Sequence, residues 1–173
     1  ISGIIAIYAT RYIAAENCSG FRKKYFLALL FAFTAIMNLL VSSDDLEYFF
    51  LFFELTTLCS FLFIGFRRDQ ESSANALTAL WMNQLGGLAV LAALFFIGQN
   101  SNVQASFSSL LGSKDANGIL LPVALLAVAA MVKGAQLPFS RWLLGAMVAP
   151  APVRAVLHSS TMVKIAPSII LRL

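Results

Sequence analysis

Five apolar runs dominate this sequence, at about 25–42, 46–66, 76–98, 118–138 and 151–173, behind an apolar stub at 1–10. A hydrocarbon slab about 30 Å thick takes about 20 helical residues to cross, so each run can span a bilayer or nearly so. Hydrocarbon offers backbone N–H and C=O groups no partners, which leaves helices or a closed barrel. The runs are continuous rather than alternating with period two, and that selects helices. The expected fold class is all-α, a polytopic transmembrane helix bundle forming one membrane domain over 1–173. Composition agrees: 60% of the 173 residues are hydrophobic and 12% charged, against ~45–50% and ~25% in soluble domains. Disorder, a secreted disulfide scaffold and a soluble nucleic-acid binder are thereby excluded. Both ends fall inside apolar runs and Ile1 is not a Met. The sequence therefore reads as a piece of a longer chain, not as one that has lost a signal peptide.

The net charge of +4 reflects loop chemistry. Arg11, Arg22, Lys23 and Lys24 fall in the first connection, Arg67 and Arg68 in the third, Arg141 and Arg154 in the fifth. Asp44, Asp45 and Glu47 occupy the second without a base, and Lys114 is the lone base of the fourth. An excess of Lys and Arg marks the cytoplasmic side, or the matrix or stroma of an organelle. Odd-numbered loops are thus expected on that side of a prokaryotic plasma membrane or an organelle inner membrane. Cys18 and Cys59 form no metal or redox spacing.

Ionisable residues inside the spans carry the functional signal. Glu54, Lys133, His158 and Lys164 all fall well within apolar runs. A central charge costs about 2.5–3.5 kcal/mol, so Glu54, Lys133 and Lys164 together cost roughly 8–10 kcal/mol, comparable to a whole folding stability. Such residues are expected to line a hydrated path or to pair with one another. Plainer readings stand beside this one. Lys133 could snorkel to the interface, Glu54 could be a neutral acid bonded across a helix interface, and His158 a satisfied bundle histidine. The run Lys133-Gly134-Ala135-Gln136-Leu137-Pro138 adds a helix-loosening Gly and a helix-breaking Pro next to a buried charge. A helix broken around 133–138 is expected, the kind of irregularity that lines cavities in transporters. Pro150, Pro152 and Pro167 punctuate the last run similarly.

Three stretches carry a family likeness: Lys133 through Met147, then Ala149-Pro-Ala-Pro-Val153, then His158-Ser-Ser-Thr-Met-Val-Lys164. With Phe53-Glu54-Leu-Thr-Thr-Leu-Cys-Ser60, the chain resembles the antiporter-like membrane subunits shared by respiratory complex I, energy-converting membrane-bound hydrogenases and multisubunit Na+/H+ antiporters. The likeness covers roughly the third through eighth of that family's helices. It implies a proton relay in which Glu54 pairs with Lys133 on the broken helix, and His158 and Lys164 carry the path onward. Ala151 and Arg154 depart from the family's Pro-Thr-Pro-Val-Ser run, and Leu144-Gly145 from its Pro-Asp. Phe139-Ser140-Arg141-Trp142 and Lys164-Ile-Ala-Pro167 look closest to the hydrogenase branch.

The expected function is proton or sodium translocation within a redox-driven complex, a hydrogenase or a complex I-like NADH/quinone oxidoreductase. The alternatives are a component of a multisubunit Na+/H+ antiporter and a structural membrane scaffold without transport. No cluster, flavin or nickel spacing is present in the sequence. Fe–S clusters and Ni–Fe or flavin are expected only in partner subunits. The expected partners are other membrane subunits, soluble redox subunits and the lipid bilayer, with no nucleic acid.

Overall fold

A computed structural model describes residues 2–15, 19–99, 104–112, 116–160 and 165–172. Among these, regular structure is helical throughout. The elements are α1 (Ser2–Ala15), α2 (Gly20–Ser42), α3 (Leu46–Ile64), α4 (Gln70–Gln99), α5 (Phe107–Gly112), α6 (Ala116–Lys133), α7 (Arg141–Gly145), α8 (Ala151–Arg154) and α9 (Ile165–Ile170). A 3-10 turn, Gly65–Arg67, extends α3, another, Ala146–Val148, follows α7, and a π-type stretch, Ala155–Ser160, continues α8. Among the described residues, three helices are long and apolar enough to cross a membrane: Gly20–Ser42, Leu46–Arg67 and Gln70–Gln99, with mean hydropathy 2.1, 2.0 and 1.8. The chain is an integral membrane helix bundle.

Local chemistry sets the helix boundaries. Ser19 accepts from Arg22 N at the start of α2, and the Asp45 carboxylate accepts from Glu47 N at 2.8 Å at the start of α3. Both are N-cap types that satisfy an otherwise unpaired first-turn donor. α4 begins at Gln70, before the expected 76, because Ser72 donates to Ile64 O and draws the polar first turn into the bundle. The connection after α4 also holds more structure than its Ser- and Asn-rich sequence suggests, namely α5.

α4 is the hub, packed on α3, α6 and α7. Its buried face runs Ser72, Ala76, Ala79, Asn83, Gly86, Val90, Ala93 and Ile97, alternately four and three residues apart. That is a heptad seam, filled here mainly by small residues that let neighbouring backbones come close. α2 packs against α3, α6 against α9, and α1 against α2 and α8.

The fourth expected span ends early. α6 ends at Lys133 rather than continuing toward 138. Gln136 N bonds Met131 O and Ala135 N bonds Val132 O, with Ala135 at φ 52. This is a Schellman cap whose left-handed residue is Ala135. Gly134 serves a different purpose: a Cβ there would lie 2.6 Å from Ala166 Cβ of α9. Pro138 lies beyond the helix end, after a cis peptide bond. Across the expected span at 151–173 the structure describes α8, the π-type stretch that continues it, and α9, with Pro150 at the N-cap of α8 and Pro152 in its first turn, where an N–H has no intrahelical acceptor to lose.

The two ends of the bundle differ in charge. At one end Arg22 donates to Phe66 O at 2.6 Å, beside exposed Arg67 and Arg68. At the other, Ser108 donates to the Asp44 carboxylate at 2.5 Å, and Arg172 closes the C-terminal end of α2 by donating to Ser43 O at 2.7 Å. The first and third connections therefore share an end, as their charges require. Asp45→Cys and Arg67→Cys should label with a membrane-impermeant thiol reagent from opposite faces of sealed vesicles. Labelling of both from the same face would mean that α3 does not span.

Candidate buried lysine–glutamate site

Lys133 is fully buried at the C-terminal end of α6. Its ammonium donates to Thr57 Oγ1 at 2.7 Å and to Phe53 O at 3.2 Å, and lies 4.2 Å from the centroid of the Phe53 ring. An ammonium has three donors and no acceptor, so two neutral oxygens and an aromatic face occupy it fully. Helical side chains lean toward the N-terminus of their own helix. The Lys133 side chain therefore points back from the broken end into the bundle. It reaches the level of Thr57, about 16 Å along α3 from Leu46 at 1.5 Å per residue.

Thr57 holds this position because its own hydroxyl also bonds Phe53 O, at 3.2 Å. Thr56 donates to the same carbonyl at 2.7 Å, and Ser60 to Thr56 O at 2.6 Å. Thr and Ser hydroxyls on a helix commonly back-bond to preceding carbonyls. This keeps a polar stripe inside an apolar helix without leaving donors unpaired.

Glu54 sits on the same turn of α3 as these groups, half-buried, with its carboxylate turned toward α4. It opens on a cavity of about 220 Å³ lined by Phe50, Trp81, Gln84, Gly87 and Leu88 among others. Glu54 Oε1 is buried and accepts no hydrogen bond. The structure thus brings Glu54 and Lys133 into one neighbourhood, close enough to interact electrostatically. Lys133 nevertheless gives its hydrogen bonds to Phe53 and Thr57, so the two charges are neighbours rather than a contact ion pair.

α4 makes room for this through consecutive glycines. A Cβ on Gly87 would overlap the Glu54 carboxylate, and one on Gly86 would press on Phe53 Cζ and Val132 Cγ1, both at 3.2 Å. One step before Gly86 along the seam, Asn83 is fully buried, with its amide nitrogen on Ala79 O at 2.8 Å and its Oδ1 unpaired. At the helix break, the buried Trp142 indole of α7 donates to Val132 O at 3.0 Å, closing a carbonyl next to Lys133.

Of the remaining expected relay residues, His158 falls in the π-type stretch, where its side chain is outside the described part, and Lys164 lies outside the described residues. Sequence reasoning missed Thr57, the Gly86–Gly87 pair, Asn83 and Trp142. Thr57 is three residues from Glu54 and so shares its helix face, and a Gly pair in mid-helix marks close backbone approach. Those signals were readable. Trp142 entered only through the family-like stretch Phe139-Ser140-Arg141-Trp142, with no role attached. Among the described residues there is no group of three His, Cys, Asp or Glu side chains able to hold a metal ion.

With this geometry in view, comparison with known proteins defines the class. Residues 43–173 match the family described as NADH:quinone oxidoreductase/Mrp antiporter, TM. The chain belongs to this family of antiporter-like membrane subunits. It is 34% identical over 165 residues to a Na(+)/H(+) antiporter subunit of Staphylococcus saprophyticus, an alignment covering 93% of this chain and 20% of that protein. It is 38% identical over 173 residues to a probable K(+)/H(+) antiporter subunit of Rhizobium meliloti, covering 95% of this chain and 16% of that one. The solved Mrp complex from Dietzia sp. DQ12-45-1b superposes with a TM-score of 0.76 at 34% identity, over 84% of this chain and 16% of its counterpart. The chain thus spans about a fifth or less of the length of these relatives. They are antiporter subunits, so the comparisons favour the antiporter branch over the hydrogenase branch and give no support to soluble redox partners.

The glycine geometry yields a paired test. Gly98 has open space where a Cβ would go, whereas at Gly87 it meets the Glu54 carboxylate. Ala at Gly98 should raise stability by about 0.5–1 kcal/mol through helix propensity. Ala at Gly87 should lower it by about 1–3 kcal/mol through overpacking. Thermal midpoints of the detergent-purified full-length protein read both, and equal shifts would deny the close approach of Glu54 to α4.

Proposed function

We propose that this chain is the ion-relay segment of the large subunit of an Mrp-type cation/proton antiporter in a bacterial plasma membrane. The observation that carries the reading is the fully buried Lys133 ammonium held on Thr57 and Phe53 beside the Glu54 carboxylate. The antiporter subunits of Staphylococcus and Rhizobium, similar over nearly the whole chain, support the branch. In the proposed mechanism a proton occupies Lys133 and exchanges with Glu54 through water drawn to the unpaired Glu54 Oε1 and the cavity beside it. His158 and Lys164 continue the path into the rest of the subunit. Cation movement elsewhere in the assembly shifts the field at this pair. A displaced unit charge 4 Å away changes the energy by about 4 kcal/mol at an effective dielectric of 20, enough to switch proton occupancy at about 1.4 kcal/mol per pKa unit.

The test uses the full-length subunit in its assembled complex, in everted vesicles from cells lacking their own antiporters. Addition of Na+ or K+ should dissipate a preformed pH gradient, and the cation that does so identifies the coupling ion. Lys133→Ala should abolish exchange while assembly persists. Lys133→Arg should also fail, since guanidinium does not release its proton. Glu54→Gln should slow exchange less severely, because it removes the neighbour and not the carrier. Exchange at the wild-type rate in Lys133→Ala would reduce Lys133 to a structural charge.

A further inference from the structure

A second cavity lies away from the lysine–glutamate site. It is a groove of about 690 Å³ at the arginine-rich end, between the first turns of α2, the end of α3 and the first turns of α4. That volume is within the about 300–1,000 Å³ typical of small-molecule clefts. Phe21 and Tyr25 of α2, Phe61 of α3 and Leu77 of α4 supply apolar walls, and Arg22 and Arg68 also line the groove. Phe21 is 80% exposed and Leu77 50%. The groove is therefore open on the surface of the described segment.

The two cations are held differently. Arg22 lies 5.1 Å from the centroid of the Phe66 ring and donates one hydrogen bond, to Phe66 O, which uses one of five guanidinium donors. Its position is fixed while most of its fork stays available. Arg68 is exposed at the turn after α3, its left-handed backbone (φ 63) anchored by a bond from its N–H to Gly65 O at 3.1 Å. Asp69 and Glu71, close by in the chain, do not line the groove. A soluble anion would leave the aromatic walls unused, and an apolar ligand would leave two guanidiniums at the membrane surface without counter-charge. A molecule with a phosphate and an acyl chain satisfies both, and the positively charged side of a membrane protein faces the leaflet richest in anionic lipid.

We propose that this groove is a binding site for an anionic phospholipid, with its phosphate on Arg22 and Arg68 and an acyl chain along Phe21, Tyr25, Phe61 and Leu77. The site depends on the membrane orientation and not on the transport reading. It would stand if Lys133 carried no proton.

The assembled full-length complex, delipidated and returned to phosphatidylcholine nanodiscs containing a minor fraction of phosphatidylglycerol, provides the test. Native mass spectrometry should find phosphatidylglycerol retained in preference to phosphatidylcholine. Arg22→Gln with Arg68→Gln should weaken that retention by about fivefold for each arginine. Arg68→Gln alone, at an exposed side chain, carries the same test where the double variant fails to assemble. Unchanged retention in the variants would overturn the site. A second arm places a photoactivatable benzophenone amino acid at Leu77 of the assembled complex and identifies the cross-linked species by mass spectrometry. A cross-link to phospholipid is expected, and a cross-link to a protein segment would mean that protein fills the groove and that the lipid assignment is wrong.

Discussion

The bundle is organised around one ammonium group. A charge at the centre of hydrocarbon must find partners within the protein, and Lys133 finds them on α3, in a backbone carbonyl, a threonine hydroxyl and a phenylalanine ring. A cation over a desolvated aromatic face is worth about 2 kcal/mol, of the same order as the insertion cost of one central lysine. These contacts require α6 to end beside the middle of α3. α4 packs against both helices, and its thin, heptad-spaced face of Ala, Gly and Ser answers that closeness. A Cβ at Gly86 would press on Phe53 and Val132 together, so the lysine's helix and the helix that holds it both come close to α4 at one glycine.

The break that ends α6 is well bonded. Interrupting a helix in a membrane exposes carbonyls that hydrocarbon cannot satisfy. Here the Schellman bonds close Met131 O and Val132 O, and Trp142 adds a second donor to Val132 O. Gly134 lets α9 press against the break. The chain therefore turns sharply at Lys133 while the carbonyls of Ala130, Met131 and Val132 stay paired, and the lysine sits on a fixed stub instead of a loose loop. At the far end, Arg172 donates to Ser43 O and Val41 O. The end of the last helix is thus tied to the end of α2.

The sequence made some of this legible for clear physical reasons. Long apolar runs can only be helices in lipid, and alternating loop charge orients them, so the all-α bundle was readable without coordinates. Glu54 and Lys133 announced themselves because buried charges are costly and rare. Their depths along separate runs differ by several residues, and the meeting point follows from the backward lean of the Lys133 side chain toward Thr57. Other features were not readable in the same way. The broken helix was expected at its glycine and proline, yet the left-handed residue is Ala135, because the capping bonds set the turn and Gly134 is needed for contact with Ala166. Trp142 entered only as part of a family-like stretch, because an indole that closes a carbonyl across the bundle looks, in sequence, like any apolar residue.

The proposed relay draws on Lys133 and Glu54 being neighbours without a direct hydrogen bond. In direct contact at about 4 Å the two charges would attract by about 4 kcal/mol at an effective dielectric of 20, and doubling the distance halves that. A contact pair buried in the bundle would hold its proton against modest changes in field, and removing either partner would strand the other. The arrangement seen here assigns the lysine's hydrogen bonds to neutral oxygens and leaves one carboxylate oxygen unpaired. Lys133 keeps satisfied partners whichever charge Glu54 carries, so a change at the carboxylate perturbs the lysine without dismantling its site. A packing role would favour the opposite design, with both charges clamped together or replaced by apolar side chains. On the proposed relay, this arrangement leaves the interaction between the two groups free to change.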